Sequence, residues 1–331
     1  MAQPKMVIGV DFGGEKLEAA AVAERGGKGK VLPEKCRRLT RGEKRTGRQV
    51  ARDIVAMAKQ VRAQHRAVAA VGIGSPGILD VASGDYRFPP CNVPHWEDDG
   101  PVSLKRAVED ALGLPCFVNN DAQVFAAGEQ RWGDPEAQAS RCMLFLTLGT
   151  GIGGALRVKG EDFWGARNTI EIGHTCIDFT DTARPCGCGL YGCAEAYASN
   201  TAISAEALRY IRCGRLERPA DGKVDAKWVY GLAKKGHPAA LRIIGRAHEA
   251  LAMLIANFAN TLSIDVCVIG GGIAEAGAFL FDDVRRRVAA HRVPTADVDI
   301  RPASLKRDFA VLGAGAFALE MLQAKTVDSG Q

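Results

Sequence analysis

The sequence predicts an α/β protein built from two related halves. Three observations carry this. An apolar strand, a glycine turn and a second strand occur twice, as "KMVIGVDFGGEKLEAAAVAE" (5–24) and as "RCMLFLTLGTGIGGALRV" (141–158). Elsewhere, strand patterns alternate with amphipathic helical ones. At 331 residues the chain has the length for two domains, each with its own core.

Each element has a local reason. "KLEAAAVAE" runs only nine residues before "RGGKGK", so the first unit reads as a β-hairpin and not as strand plus helix. Val50, Ile54, Met57, Ala58 and Val61 share one face of a helix over 49–66. "AVAAVGIGSPG" is a strand entering a turn, 102–112 is a helix stopped by Gly113, and "PCFVNND" is a strand ending at Asp121 with a helix behind it. The glycine-rich repeat at 141–158 is again a hairpin. Leu251, Leu254, Ile255, Phe258 and Leu262 place a buried stripe on a helix over 247–262. "IDVCVIGGGIAEAG" reads as strand, glycine turn and helix start. "FAVLGAG" (309–315) reads as a last strand, followed by a short helix and a polar tail. A boundary is expected near 120/121: a first lobe over 1–120, and a larger second lobe over 121–331 whose C-terminal helix can return to the first.

Hydrophobic residues make up 47% and charged residues 24%, an ordinary soluble composition. No apolar run is long enough for a membrane helix, and "MAQPKMVIGVDFGG" lacks a secretory pattern, so a cytoplasmic protein is expected. The net charge is only +5, with ten Lys or Arg against three Glu between Glu24 and Arg48. That is a solvated face, and direct nucleic-acid binding is not expected.

The sharpest local signal is "PCGCGLYGCAE" (185–195) with "EIGHT" (171–175) just before it. His174, Cys186, Cys188 and Cys193 follow the spacing H-x11-C-x-C-x4-C, with glycines that allow tight wrapping. Three thiolates and one imidazole form a closed, tetrahedral structural zinc set with no open position for catalysis. A redox pair would favour C-x-x-C, which is absent. Isolated cysteines such as Cys142 and Cys267 read as small core residues. A pinned knot would hold Glu171 and Glu195 in one place, where two carboxylates and a histidine suit the hydroxyls of a polar ligand such as a sugar.

Three glycine turns, "DFGG", "LGTGIGG" and "IGGGIAEAG", each follow an apolar strand, and backbone N–H groups in such turns approach phosphate. Read singly, each is also a plain tight turn. "GIGSPG" (72–77) spells a dinucleotide fingerprint, but Pro76 and the residues after it lack the required helix, which leaves an NAD-dependent dehydrogenase as an outside alternative. Asp121, at a strand's C-terminal end, faces the edge where α/β sheets bind ligands. As a lone residue it reads first as a helix N-cap.

"EIGH" followed by "CGCGLYGCAE" resembles the signature of the ROK family of repressors, open reading frames and sugar kinases. "VIGVDFGG", "LTLGTGIGG" and "VIGGGI" resemble its two phosphate motifs and its adenosine motif. "VNNDA" resembles its catalytic-aspartate segment, and "NVPHW" (92–96) the loop before that. The resemblance runs from about Val7 to Leu319. It implies an actin-like ATPase domain (ribonuclease H-like) fold, two lobes around a central cleft, in which a hexose is phosphorylated from ATP with magnesium, as in glucokinase. By position it implies Asp121 as general base, and Gly77, Asn120, Glu171, His174 and Glu195 around the sugar. It implies Asp11 for magnesium and its water. Gly13, Gly14, Gly149, Thr150 and Gly151 would lie at the phosphates, and Gly271 and Gly272 at the adenosine. It also implies a homodimer.

The pattern departs from the family in places. "DFGGEK" has Glu15 where a small hydroxyl residue is usual. A carboxylate about 5 Å from one phosphate charge costs about 3 kcal/mol at an effective dielectric of 20. Glu15 therefore supports a second reading, a sugar-binding sensor or pseudokinase with weak or no phosphoryl transfer. Thr169 and Ile170 replace the usual Ala-Gly, and Asn119 and Gln123 the usual Glu and Asn. A family repressor would need a helix-turn-helix ahead of Val7, which is not expected.

Overall fold

A computed structural model of the chain describes residues 6–14, 16–39, 45–90, 93–166, 170–306 and 308–328. Glu15, Cys91, Asn92 and Thr169 therefore lie outside the described residues. The described chain divides into two compact units, one of 1–139, 164–169 and 304–331, the other of 140–163 and 170–303.

The first unit opens with β1 (Met6–Phe12) and β2 (Lys16–Arg25), followed by β3 (Lys28–Val31), β4 (Cys36–Leu39), α1 (Gly47–Gln64) and β5 (Val68–Ser75). A short hairpin, β6 (Ile78–Leu79) and β7 (Tyr86–Phe88), precedes α2 (Leu104–Leu112), β8 (Cys116–Asn120), α3 (Asp121–Trp132) and α4 (Pro135–Ala139). β1 and β2 are antiparallel around the Gly13–Gly14 turn, the hairpin expected from the sequence. β1, β5 and β8 run parallel, in the order β3-β2-β1-β5-β8, with β4 paired to β2. Thr46 opens α1 with a reciprocal capping box with Gln49, and Gly113 ends α2 at φ 62°. Ile8, Val10 and Phe12 bury the sheet against α1 and α2, and Val7 faces the opposite core.

The second unit holds β9 (Cys142–Leu148), β10 (Ile152–Val158), β11 (Glu161–Asp162), α5 (Glu195–Ala198), α6 (Asn200–Arg212), α7 (Ala226–Lys234), α8 (Pro238–Leu262), β12 (Val266–Gly270), α9 (Ala278–His291) and β13 (Asp299–Pro302). Its sheet runs β11-β10-β9-β12-β13, with the β9–β10 hairpin antiparallel and β12 parallel to both β9 and β13. Leu144, Leu146 and Leu148 pack with Leu251, Leu254 and Ile255 of α8 in its core, and Ile170 packs against that core.

The chain then returns to the first unit as α10 (Phe309–Asp328), so α3 and α10 both belong to that unit. "FAVLGAG" is not a strand but the first turns of α10. The segment is apolar all round because α10 lies buried on the sheet, and an all-apolar run has no period that separates helix from strand. Glycines admit the helix. A Cβ on Gly72 would sit 1.9 Å from the Ala314 carbonyl oxygen, and one on Gly9 would sit 2.1 Å from that of Val311.

Candidate functional site

The first unit gathers its polar residues at the C-terminal edge of β1, β5 and β8. The register pairs Asp11 with Gly74, and Ser75 with Asn120. Asp11 is 9% exposed, and its carboxyl is pushed up to about 7. Burial is the first cause; Asp121 and Glu18 add to it, while Lys16 opposes. The two aspartates therefore share one electrostatic environment. Asn120 is the N-cap residue of α3, its Oδ1 accepting the Ala122 N–H at 3.0 Å, and Asp121 Oδ1 accepts the same N–H at 2.7 Å. Asn120 Nδ2 donates to the Gly77 carbonyl at 3.2 Å, so two predicted pocket residues meet. Gly77 has φ 92°, and a Cβ there would lie 2.8 Å from the Phe88 carbonyl oxygen. Gly13 closes the β1–β2 turn by donating to Lys16 O at 3.0 Å. Trp96, in the loop singled out by sequence, is buried against Phe12 and Tyr86. Gly72 and Gly74, from the dinucleotide-like letters, lie inside β5 against Ala314 and Val124 as packing glycines.

In the second unit the donor atoms of His174, Cys186, Cys188 and Cys193 all lie within 4.8 Å of one another. Cys188 Sγ and Cys193 Sγ are 3.7 Å apart, and Cys186 Sγ is 3.5 Å from His174 Nδ1. A tetrahedron with Zn–S ~2.3 Å and Zn–N ~2.0 Å has edges of about 3.7 Å between sulfurs and about 3.5 Å from sulfur to nitrogen. The donor set fits a structural zinc ion. Backbone bonds prepare the knot: Ile177 N–H donates to Gly192 O at 2.8 Å, Gly192 N–H to Arg184 O at 2.9 Å, and Cys186 N–H to Leu190 O at 2.8 Å. Gly192, at φ 76°, lies where a Cβ would sit 1.8 Å from Asp178 O.

Two glutamates flank this knot. Glu171 is open to solvent on one side but crowded on the other. Burial raises its carboxyl, His174 opposes and Glu195 adds to the rise, so the three predicted sugar-binding groups converge. Glu195 begins α5, and its Oε2 accepts the Ile152 N–H at 2.8 Å.

The glycine turns after β9 and β12, expected at the phosphates and the adenosine, lie side by side, because the two strands are paired as far as Thr147 and Gly270. A cavity of about 530 Å³ opens there, lined by Gly149, Thr150, Gly272, Tyr230 and Lys234 among others. Asn200 N–H donates to Gly149 O at 2.9 Å, and Thr201 Oγ1 to Thr150 O at 2.8 Å, so the start of α6 holds the β9–β10 turn. Gly271, at φ 87°, leaves no room for a Cβ, which would sit 2.4 Å from Leu148 O.

The ROK family profile matches residues 7–321. The chain belongs to the ROK family. A glucokinase of Thermotoga maritima is 32% identical, over 96% of this chain and 99% of its own length. Among solved structures, a ROK hexokinase from Thermus thermophilus has TM-score 0.77 at 29% identity, with 96% of this chain and 99% of that chain covered. A ROK family glucokinase from Streptomyces griseus, in complex with glucose and AMPPNP, has TM-score 0.75 at 27% identity, with coverage of 95% and 99%. The fold is the actin-like ATPase fold of the family.

Sequence reading missed part of this ROK protein's cavity. Asn200, Asp225, Lys227, Tyr230, Lys234 and Glu275 all line it. The residues on α7 carry no signal beyond an amphipathic helix pattern, and only the tertiary fold sets them beside the glycine turns. Behind Tyr230 stands a chain of hydrogen bonds to His248, which is 1% exposed, and on to Asp283.

Proposed function

We propose that this ROK protein is a sugar kinase that transfers the terminal phosphoryl group of ATP to a hexose hydroxyl. Its family membership and full-length likeness to a glucokinase support the class of reaction. The observation that carries the reading for this chain is the relation of Asp11 to Asp121. A carboxyl raised to about 7 by burial and a neighbouring carboxylate is a strained arrangement in the bare protein. Asp11, a hard oxygen donor in that setting, would hold magnesium or its water, with Asp121 beside it kept for the sugar hydroxyl. Magnesium, when bound, supplies neutralisation of phosphate charge.

The side chains do the rest. Asp121 takes the proton of the attacking sugar hydroxyl, help that is typically worth ~10²–10⁴ in rate. Glu171, His174 and Glu195 orient the sugar by its other hydroxyls. Asn120, with one amide hydrogen on Gly77, keeps the second for the sugar and holds the pocket's edge. Gly14 and Thr150 offer backbone N–H groups to phosphate, on turns that the Gly13 N–H closes on Lys16 O and the Gly149 N–H closes on Gly151 O, and the 530 Å³ cavity takes the nucleoside between Gly272 and Tyr230. His174 Nδ1 and the three cysteines would hold zinc, which would supply folding energy at the sugar wall. A homodimer belongs to the same reading, and light scattering tests it.

The test is ADP release with glucose, fructose, mannose, N-acetylglucosamine and N-acetylmannosamine as acceptors. Turnover with one or more sugars, reduced ~10²-fold or more in Asp121→Asn with sugar binding retained, is expected. Sugar binding by calorimetry with no turnover would replace this reading with the sensor that Glu15 raised, and a gain of turnover in Glu15→Thr would locate the obstacle.

A further inference from the structure

Gly151 lies in the β9–β10 turn that family likeness assigns to phosphate, yet its surroundings point elsewhere. A Cβ on Gly151 would sit 2.4 Å from Glu195 Oε2 and 3.2 Å from its carboxyl carbon. Gly151 is not among the positive-φ glycines, so space and not backbone conformation excludes a side chain. The oxygen that fills the space is the one that accepts the Ile152 N–H at 2.8 Å. Gly149 and Thr150 line the nucleotide cavity, whose lining does not include Gly151, and a Cβ on Gly149 would meet nothing within 4 Å.

Glu195 is also fixed from its other side. It follows Cys193 by two residues, and Ala194 N–H donates to Thr175 O at 3.0 Å; Oε1 lies 3.9 Å from Cys186 Sγ, which as a zinc thiolate would not bond it and leaves it for a hydroxyl. The carboxylate is thus docked with one oxygen on the backbone of the phosphate turn and the other on the side of the zinc knot.

We infer that Gly151 is a positioning residue for the sugar. Its missing side chain lets Glu195 dock on the Ile152 N–H and present a single carboxylate oxygen to a sugar hydroxyl. The inference rests on the proposed sugar contact of Glu195. Substitution at a phosphate-motif glycine then damages the acceptor site and spares the donor site, the reverse of what the motif implies.

Three variants test this: Gly151→Ala, Gly149→Ala and Glu195→Gln. Sugar Kd is measured by calorimetry without nucleotide, and KM by titration of each substrate. Gly151→Ala is expected to weaken sugar binding ~10-fold or more, the scale of one lost charged hydrogen bond, with KM for ATP within about twofold of the parent. Gly149→Ala is expected to raise KM for ATP and leave sugar Kd unchanged. In Glu195→Gln the further change to Gly151→Ala should add much less than it does alone, since both act through one carboxylate. Unchanged sugar Kd in Glu195→Gln would remove the sugar role of Glu195 and the inference with it. Weakened sugar binding in Glu195→Gln but not in Gly151→Ala would overturn the inference alone, as would a Gly151→Ala whose only defect is KM for ATP. If Gly151→Ala does not fold, Gly151→Ala/Glu195→Ala removes the clash and must fold; an unfolded double variant would also refute the inference.

Discussion

Tyr230 Oη lies 2.9 Å from His248 Nε2, and His248 Nδ1 lies 2.8 Å from Asp283. Although burial opposes it, hydrogen bonds from Arg287, His248 and Arg286 hold the Asp283 carboxyl well below the usual range. An ionised Asp283 accepts the Nδ1–H, so Nε2 accepts from the tyrosine. The chain of bonds fixes the ring that lines the 530 Å³ cavity. Tyr230→Phe keeps the ring but leaves a buried acceptor unpaired, at a cost of about 1–3 kcal/mol. A fall of several degrees in Tm is expected, read by calorimetric scanning.

The same histidine predicts an acid limit to stability. Burial lowers the His248 pKa below its ordinary 6.5, with Asp283 pulling the other way and Arg287 adding to the fall. Below pH 6.5 the unfolded chain takes up a proton that the folded chain does not, so stability falls as pH drops through that value. His248→Phe should be less stable at pH 8 but lose less Tm between pH 7 and pH 5 than the parent. An identical loss in both proteins would exclude this account.

Asp11 predicts the opposite slope. Its folded pKa of about 7 lies above the ordinary 3.8, so the folded chain holds the extra proton between those values. Stability from this group is complete below pH 3.8 and is lost progressively as pH rises from there through about 7. In the metal-free protein Asp11→Asn should be more stable than the parent at pH 8, on the order of a few kcal/mol, and equal to it near pH 4. Turnover should be lost at both. Greater stability with intact turnover would remove Asp11 from the proposed machinery.

Zinc content and folding should move together. About one zinc per chain is expected by elemental mass spectrometry, and chelation or Cys186→Ser should open the 185–195 hairpin to proteolysis and abolish sugar binding. A metal-free preparation with full activity would defeat the assignment.

Packing of α10 gives a prediction independent of chemistry. A Cβ on Gly72 would meet the Ala314 carbonyl oxygen at 1.9 Å, a backbone atom that cannot swing aside. Gly72→Ala should cost about 3 kcal/mol or more in a urea melt. Gly113→Ala, where nothing lies within 4 Å but φ is 62°, should cost less, about 1 kcal/mol.

Much of this protein was legible before folding because the telling signals are local. Both hairpins follow from apolar runs broken by glycine turns, and the helices at 47–64 and 104–112 from amphipathic spacing and their end residues. His174, Cys186, Cys188 and Cys193 lie close enough in sequence for their donor chemistry to be read as one site, and they converge as that reading requires. Local signals fail where burial is complete or contacts are distant. "FAVLGAG" has no polar face, so only the sheet beneath it makes it helix. Tyr230 and Lys234 reach the 530 Å³ cavity only because α7 packs beside turns remote from it in sequence. Gly151 carries the letter of a phosphate motif, and only the folded chain brings the Glu195 oxygen into the space that a side chain would need. Sequence by itself determined the periodicities, the turns and the identity of the donor atoms, which depend on neighbours along the chain. Tertiary structure alone decided which distant groups share a space, because excluded volume and electrostatic proximity act between atoms that the linear order keeps apart.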